Sequence, residues 1–314
     1  MNRIPVVIDT DPGIDDFFAM MLAASSPALQ VEAVTAVAGN QTLDTTAKNA
    51  LDIAARLGLG CPVARGADRP LNIPLRTAGY IHGENGLGNL RLPAHDKQYA
   101  PGYAWDMIYQ KAVEHGGALQ VIALGPLTNI AIALLKYPDL HERISRIVLM
   151  GGSTETGNKT PYGEFNLVVD PLAADIVFKS GVPLVMVGLN VTMAARFSRE
   201  ELRCITGSSA PIAAECAAAL DFLFGAYEKV MGTQEVALHD ALAAAYVINP
   251  AVLGCKDLYV AVETRSPLNA GRTVVDLEKK KDCPPNCSVA LEVSAPLFLE
   301  MLGDMMRCCE EKEC

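Results

Sequence analysis

The sequence predicts an α/β protein, with a mostly parallel central sheet, helices on both faces and extra helices toward the C-terminus. Three observations carry this. Short runs rich in Val, Ile and Leu recur at 4–8, 30–38, 119–124, 146–150 and 183–188. They have strand length and are bounded by turn residues. Stretches with apolar residues at helical spacing lie between them, and strands that alternate with helices pair in parallel under two helical layers.

The elements follow in order. The run IPVVI at 4–8 is short, β-branched and bounded by polar residues, so it reads as a buried strand. Asp9-Thr10-Asp11-Pro12-Gly13 turns it into a helix that Asp15 and Asp16 open. A second strand at 30–38 ends at Gly39-Asn40. The helix 42–57 carries Leu43, Ala47, Ala50, Leu51, Ala54 and Leu57 on one face and stops at Gly58. A short strand at 62–64 leads into residues 66–102, rich in Gly, Pro and Asn. A connection of that length inside a compact domain is expected to be functional. A helix at 105–115, a strand at 119–124 and a helix at 127–136 come next. They are followed by a strand at 146–150, a loop at 157–166, and a helix at 171–179 with Pro171 at its first position. After the strand 183–188, helices are expected at 199–205, 212–231 and 239–247. Strands at 258–262 and 289–293 and a helix at 296–306 close the chain. There is no internal repeat and no low-complexity linker, so a single domain over 1–314 with open, Rossmann-like architecture is expected.

The chain has 314 residues, 50% hydrophobic and 20% charged, with a net charge of −10. An acidic chain disfavours nucleic acid and anionic membranes as partners. The N-terminus runs straight into the first strand without a signal-peptide pattern, and no apolar run reaches membrane-spanning length. A cytoplasmic enzyme is the expectation. Of nine cysteines, Cys61, Cys204, Cys216 and Cys255 stand alone as packing residues. Cys283 and Cys287, and the group Cys308, Cys309 and Cys314, could be metal or redox pairs. Their loose spacing, with no His nearby, favours reduced thiols instead.

Chemistry concentrates at the first strand end. Asp9, Asp11, Asp15 and Asp16 fall within eight residues at a strand–turn–helix junction. A helix N-terminus offsets part of their repulsion, but four carboxylates call for a hard divalent cation with oxygen ligands, Ca²⁺ or Mg²⁺. Capping with solvated charge is the plain alternative. A phosphotransferase of the haloacid-dehalogenase type, which also carries Asp-x-Asp after its first strand, is another. That pattern continues with Gly and Thr, whereas Pro12-Gly13 follows here. Ligands of such sheets bind outside the carboxyl ends of the strands, where Asp11, Asn40, Leu124 and Met150 all fall. The turn 124–129, Leu-Gly-Pro-Leu-Thr-Asn, has no basic residue to hold a phosphate. An acidic, amide-rich site suits a neutral polyol such as ribose. The cluster Asn158, Glu164 and Asn166 and the pair His239-Asp240 add polar candidates. Taken alone, they could equally be loop, surface and capping residues.

These stretches together closely resemble the nucleoside hydrolases. The resemblance runs through DTDPGIDD (9–16), AGNQTL (38–43), TAGYIHGENGLG (77–88), LGPLTN (124–129), LMGG (149–152), EFN (164–166) and HD (239–240). It implies Ca²⁺ held by Asp11, Asp16, Asp240 and the backbone carbonyl of Leu124. It implies ribose hydroxyls bound by Asp15, Asn158, Glu164, Asn166 and Asp240, with Asn40 and Met150 also on the substrate. His82 and His239 would face the 5′ end and the base. The implied reaction is hydrolysis of the N-glycosidic bond of a ribonucleoside, in a homodimer or homotetramer. Asp11 would serve as general base and His239 as proton donor to the base. The stretch 189–193, LNVTM, departs from the Leu-Asp-Val-Thr-His expected of relatives. A non-catalytic nucleoside- or ribose-binding protein is the remaining alternative; it would need the polyol contacts but no activated water.

Overall fold

The computed structural model describes residues 3–311. Strand β1 (Ile4–Thr10) leads through Pro12-Gly13 into α1 (Ile14–Ser25), followed by β2 (Leu29–Ala36), α2 (Leu43–Arg56) and β3 (Val63–Arg65). The long connection holds one short helix, α3 (Gly79–His82). The next elements are α4 (Ala104–Glu114), β4 (Leu119–Ala123), α5 (Thr128–Lys136), β5 (Ile144–Met150), α6 (Phe165–Val169), α7 (Pro171–Phe178), β6 (Leu184–Val187) and α8 (Leu189–Thr192). The chain continues through β7 (Arg196–Ser198), α9 (Arg203–Thr206), α10 (Ala213–Met231), β8 (Glu235–Ala237) and α11 (His239–Ile248). It ends with β9 (Leu253–Leu258), β10 (Val260–Val262), β11 (Thr273–Val275), β12 (Cys287–Val293) and α12 (Ala295–Glu311).

Eight strands form the main sheet in the order β3-β2-β1-β4-β5-β6-β12-β9. Neighbours are parallel except β12 and β9. Alternation along β1 sends Val6 and Ile8 to one core and Val7 to the other, so both faces are buried. The first core is closed by α1, α2, α10, α11 and α12, the second by α4, α5 and α7. Phe17 and Phe18 are fully buried in α1, each contributing roughly 1.5–3 kcal/mol by leaving water. From β1 the chain winds outward to β3 on one side, then returns through β4 to wind outward on the other. The crevice where the direction reverses lies at the carboxyl ends of β1 and β4.

Three expectations are corrected. The helix expected at 199–205 is confined to Arg203–Thr206. Glu201 accepts from the Ser198 amide and hydroxyl instead, and local side-chain bonds of this kind compete with a helix. The strand expected at 258–262 is divided. Leu258 ends β9 in the main sheet, while Val260–Val262 pairs with β11. The Asn286 side chain takes both the amide and the carbonyl of Val260, which separates the two pieces. The loop expected at 157–166 ends early, because Phe165 and Asn166 already belong to α6. Cys283 and Cys287 are free thiols, as are Cys61, Cys204, Cys216 and Cys255; Cys314 lies outside the described residues. No helix among the described residues is long and apolar enough to cross a membrane.

Candidate active site

The carboxyl ends of β1, β2, β4 and β5 surround one cavity. Its wall includes Asp15, Asn40, His82, Leu124, Met150, Asn158, Glu164, Asn166, His239 and Asp240. These are ten of the residues marked in the sequence; Asp11 and Asp16 lie behind them, fully buried.

The acidic residues reach this point from three places. Asp15 and Asp16 come from the first turn of α1, where the helix dipole favours negative charge. Asp16 is held twice: the Thr10 hydroxyl donates to Oδ1 and the Gly13 amide to Oδ2 at 2.7 Å. Asp240 comes from the first turn of α11. It is buried and no cap, since Leu238 occupies the cap position. Carboxylate oxygens of Asp15, Asp16 and Asp240 lie within 4.8 Å of one another. Asp11 follows β1, and its Oδ2 accepts from the Asn40 amide at 2.7 Å. Oδ1 of Asp11 and Oδ1 of Asp15 are buried without a hydrogen-bond partner. Asp9 takes no part in this cluster. Its Oδ1 accepts from Thr35 and Asn129 at 2.6 and 2.8 Å, so the fourth carboxylate of the junction serves the structure behind the site.

The electrostatics follow from burial. Asp11 and Asp240 are pushed well above the usual carboxylate range by burial and then by their acidic neighbours. Asp16 rises to about 6 by burial and the Asp15 charge. Asp15 also rises by burial, the His239 side chain opposing. No Arg or Lys lines the cavity. Crowded carboxylates with orphaned oxygens fit a hard, oxygen-loving cation. A fourth ligand is at hand in the Leu124 carbonyl. It accepts one hydrogen bond, from Asn166 Nδ2 at 2.7 Å, and keeps a second lone pair.

Opposite stands Glu164, the cap of α6. Its oxygens accept from the amides of Asn166, Leu167 and Gly152, and burial lifts it to about 7. Asn166 gives its amide hydrogens to the Leu124 and Met150 carbonyls, at 2.7 and 3.1 Å. That leaves Oδ1 of Asn166 as an acceptor for a ligand. Asn158 accepts from the Phe165 amide at 2.9 Å, which leaves its NH₂ free. His82 Nδ1 accepts from the Ile14 amide at 3.2 Å, and burial pushes its ring down to about 4, so it is neutral at pH 7 with its proton on Nε2.

The other end of the cavity is apolar and aromatic, with Leu223, Tyr227, Val230 and Met231 from α10. His239 faces it, half-buried, with both ring nitrogens engaged. Nδ1 meets the Thr192 hydroxyl at 2.7 Å and Nε2 the Tyr227 hydroxyl at 2.9 Å. Burial pushes the imidazole down, with Asp15 opposing. Sequence reasoning missed Tyr227 and Thr192. Tyr227 sits in an unbroken helical pattern that reads as core; the Thr at 192 lies in LNVTM, which drew notice only for its departures.

The sequence pattern of the family described as inosine-uridine preferring nucleoside hydrolase matches residues 6–300. A pyrimidine-specific ribonucleoside hydrolase, RihA, from a Shewanella species is 42% identical over 309 residues, covering 98% of this chain and 96% of its own. The structure of a plant nucleoside hydrolase superposes with a TM-score of 0.91 at 30% identity, covering 97% of this chain and 99% of that one. A purine-preferring ribonucleoside hydrolase from Gardnerella vaginalis superposes with a TM-score of 0.91 at 31% identity, covering 98% and 99%. The chain thus belongs to the inosine-uridine preferring nucleoside hydrolase family, and its reaction is the hydrolysis of ribonucleosides to free base and ribose.

Proposed function

We propose that the protein hydrolyses pyrimidine ribonucleosides in a Ca²⁺-dependent reaction. The observation that carries the metal-assisted reading is the buried group Asp15, Asp16 and Asp240, with the orphaned Asp11 Oδ1 beside it and no basic side chain lining the cavity. Asp11, Asp16, Asp240 and the Leu124 carbonyl would hold the ion. When bound, Ca²⁺ lowers the pKa of the attacking water and neutralises the carboxylates. Asp11 is tied at Oδ2 by the Asn40 amide, so Oδ1 is free to take the proton of the water. Asp15, Glu164 and Asn166 offer acceptors to the sugar hydroxyls, and their charge and dipoles favour positive charge developing on the ribosyl ring.

The leaving base needs a proton. His239 is depressed and engaged at both nitrogens, so a neutral ring relaying through Tyr227 fits the geometry better than direct donation by an imidazolium. The Tyr227 hydroxyl, which burial keeps protonated, lines the apolar end where the base would sit and would be reprotonated through His239. Preference for pyrimidines is supported by the RihA relative, which is more similar to this chain than the purine-preferring structure is. A cytoplasmic homodimer or homotetramer is the accompanying reading; light scattering of the purified chain tests its assembly.

The deciding experiment is a steady-state panel of uridine, cytidine, inosine and adenosine with Ca²⁺ present. The expected kcat/KM for the pyrimidines exceeds that for the purines by about tenfold or more, the scale of a shape-selective pocket. The reverse order would reject the pyrimidine assignment.

A further inference from the structure

None of the described residues of β10 or β11 lines the cavity, yet this small sheet is bound to the sugar end from behind. Val260 and Val262 root β10 in the second core, and Thr273 of β11 pairs with Val262. The Thr273 side chain leaves that ladder and reaches the turn after β5. Its hydroxyl accepts from the Ser153 amide at 2.9 Å and donates to the Ser153 carbonyl at 2.5 Å. Both residues are buried. One hydroxyl thus satisfies the amide and the carbonyl of a residue outside any strand, as a neighbouring strand would. The rest of the turn has little freedom. Gly152 stands at φ +71°, its carbonyl accepts from the Leu189 amide at 2.9 Å, and a Cβ there would lie 2.8 Å from Thr273 Cγ2. Its amide points into the site and donates to Glu164 Oε2 at 3.1 Å.

The chain just before β11 makes a second approach. Gly271, at φ +85°, passes so close to α6 that a Cβ would stand 2.6 Å from Val168 Cα and 2.8 Å from the Leu167 carbonyl carbon. The Arg272 guanidinium lies 4.4 Å from the Tyr162 ring centroid. Residues 271–273 therefore press on both ends of the segment 153–168, which carries Asn158, Glu164 and Asn166. For Glu164 this matters most. Two of the amides that hold its carboxylate, those of Asn166 and Leu167, belong to the helix it caps and move with it. The Gly152 amide comes from outside that helix and fixes the carboxylate relative to the end of β5. We propose that Thr273 is a positioning residue for the reaction: by holding Ser153 it keeps the Gly152 amide on Glu164, and so aims that carboxylate at the ribose. This inference rests on the reading of Glu164 as a sugar ligand.

The test is a double-mutant cycle on uridine hydrolysis with Ca²⁺ present, using Thr273→Val, Glu164→Gln and the two combined. Val keeps the shape of Thr and loses the hydroxyl. Thr273→Val should lower kcat/KM roughly tenfold or more, the scale of a small misplacement of a group that orients substrate. Thr273→Ser, which keeps the hydroxyl, should retain most of the activity. In the Glu164→Gln background the same Val substitution should cost less than about twofold, since residues that act through one another are not additive. A purely structural role would give equal losses in the two backgrounds, and that result overturns the proposal. So does a Thr273→Val enzyme with the wild-type kcat/KM, or a Thr273→Ser enzyme as impaired as Thr273→Val. Should the unpaired Ser153 groups keep Thr273→Val from folding, as circular dichroism would show, Thr273→Ala leaves room for a water to bond them and takes its place in the cycle with the same expectations. Glu164→Gln alone tests the reading beneath the proposal. If that variant is as active as wild type, Glu164 is no sugar ligand; if it is impaired and the Val loss is additive, only the positioning role of Thr273 is rejected.

Discussion

Asp9 and Asp11 are two residues apart, identical in chemistry, and differently employed. Asp11 emerges beyond the strand with one oxygen tied and one orphaned. Asp9 is still inside β1, where Thr35 and Asn129 both donate to its Oδ1 and hold it behind the site, although its Oδ2 is likewise buried without a partner. The sequence shows the carboxylates but not which way each leaves the strand, because Thr35 and Asn129 are remote in the chain. The same blindness hid Tyr227, whose partner His239 is twelve residues on and across β8. Substitution separates the roles at the base end. A p-nitrophenyl riboside leaves as a stable anion and needs no proton. Tyr227→Phe and His239→Ala should each cut uridine turnover by roughly 10²-fold, the usual scale of general-acid loss, yet spare p-nitrophenyl riboside. Equal losses on both substrates in steady-state assays would mean that the pair only supports Asp240 next in the chain.

At the scale of elements, the site depends on how closely the turns after β2 and β4 approach the end of β1. A Cβ added at Gly39 would stand 2.1 Å from Asp11 Oδ2 and 2.7 Å from Pro126 Cδ. One at Gly125 would stand 2.6 Å from Asp11 Oδ1. Glycine is needed here for space. Gly39→Ala should therefore displace Asp11, lowering kcat/KM about 10²-fold or more and weakening Ca²⁺ binding in calorimetry. Gly225 is the contrast: exposed in α10, its added Cβ meets nothing. Gly225→Ala should raise stability by about 0.5–1 kcal/mol in denaturant melts. Unchanged activity in Gly39→Ala would break the link between this turn and Asp11. Elements of ordinary length were legible: the strand runs at 4–8, 119–124 and 146–150 and the helix at 212–231 emerge with bounds close to those expected. The β7–β8 pair was not, since Arg196–Ser198 and Glu235–Ala237 are too short and polar to show a period, and their pairing is non-local. The one-turn helix α3 hides in a Gly-rich stretch for the same reason.

Over the whole molecule, the buried acids make a statement about stability. Asp9 and Glu164 rise to about 7 and Asp16 to about 6, from ordinary values of 3.8, 4.5 and 3.8. Between about pH 4 and pH 7 the folded, metal-free protein therefore holds protons that the unfolded chain has released. Stability falls with rising pH wherever the folded state binds more protons, so these groups favour the fold at the acidic side of the window and stop doing so as pH rises through 6 to 7. Surface carboxylates such as Asp139, held low by Arg143, act in the opposite sense but below pH 4. The proposed Ca²⁺ would need ionised ligands, so its affinity is expected to rise through the same window. At a hundredfold excess over its Kd it adds about 2.7 kcal/mol to the folded state, roughly 5 °C in Tm for a chain of this size. The expected result is a metal-free Tm that declines from pH 5.5 to pH 8, and a shift on adding a fixed concentration of Ca²⁺ that is larger at pH 8. Asp9→Asn sharpens the test, since Asp9 lies outside the acidic cluster. It should flatten the metal-free decline while leaving the Ca²⁺ shift at pH 8 intact. Scanning calorimetry at the two pH values, with chelator and with Ca²⁺, reads all four melting points. A Ca²⁺ shift of equal size at both would mean that the ion does not replace protons on these carboxylates, and a shift abolished by Asp9→Asn would place Asp9 among the ligands.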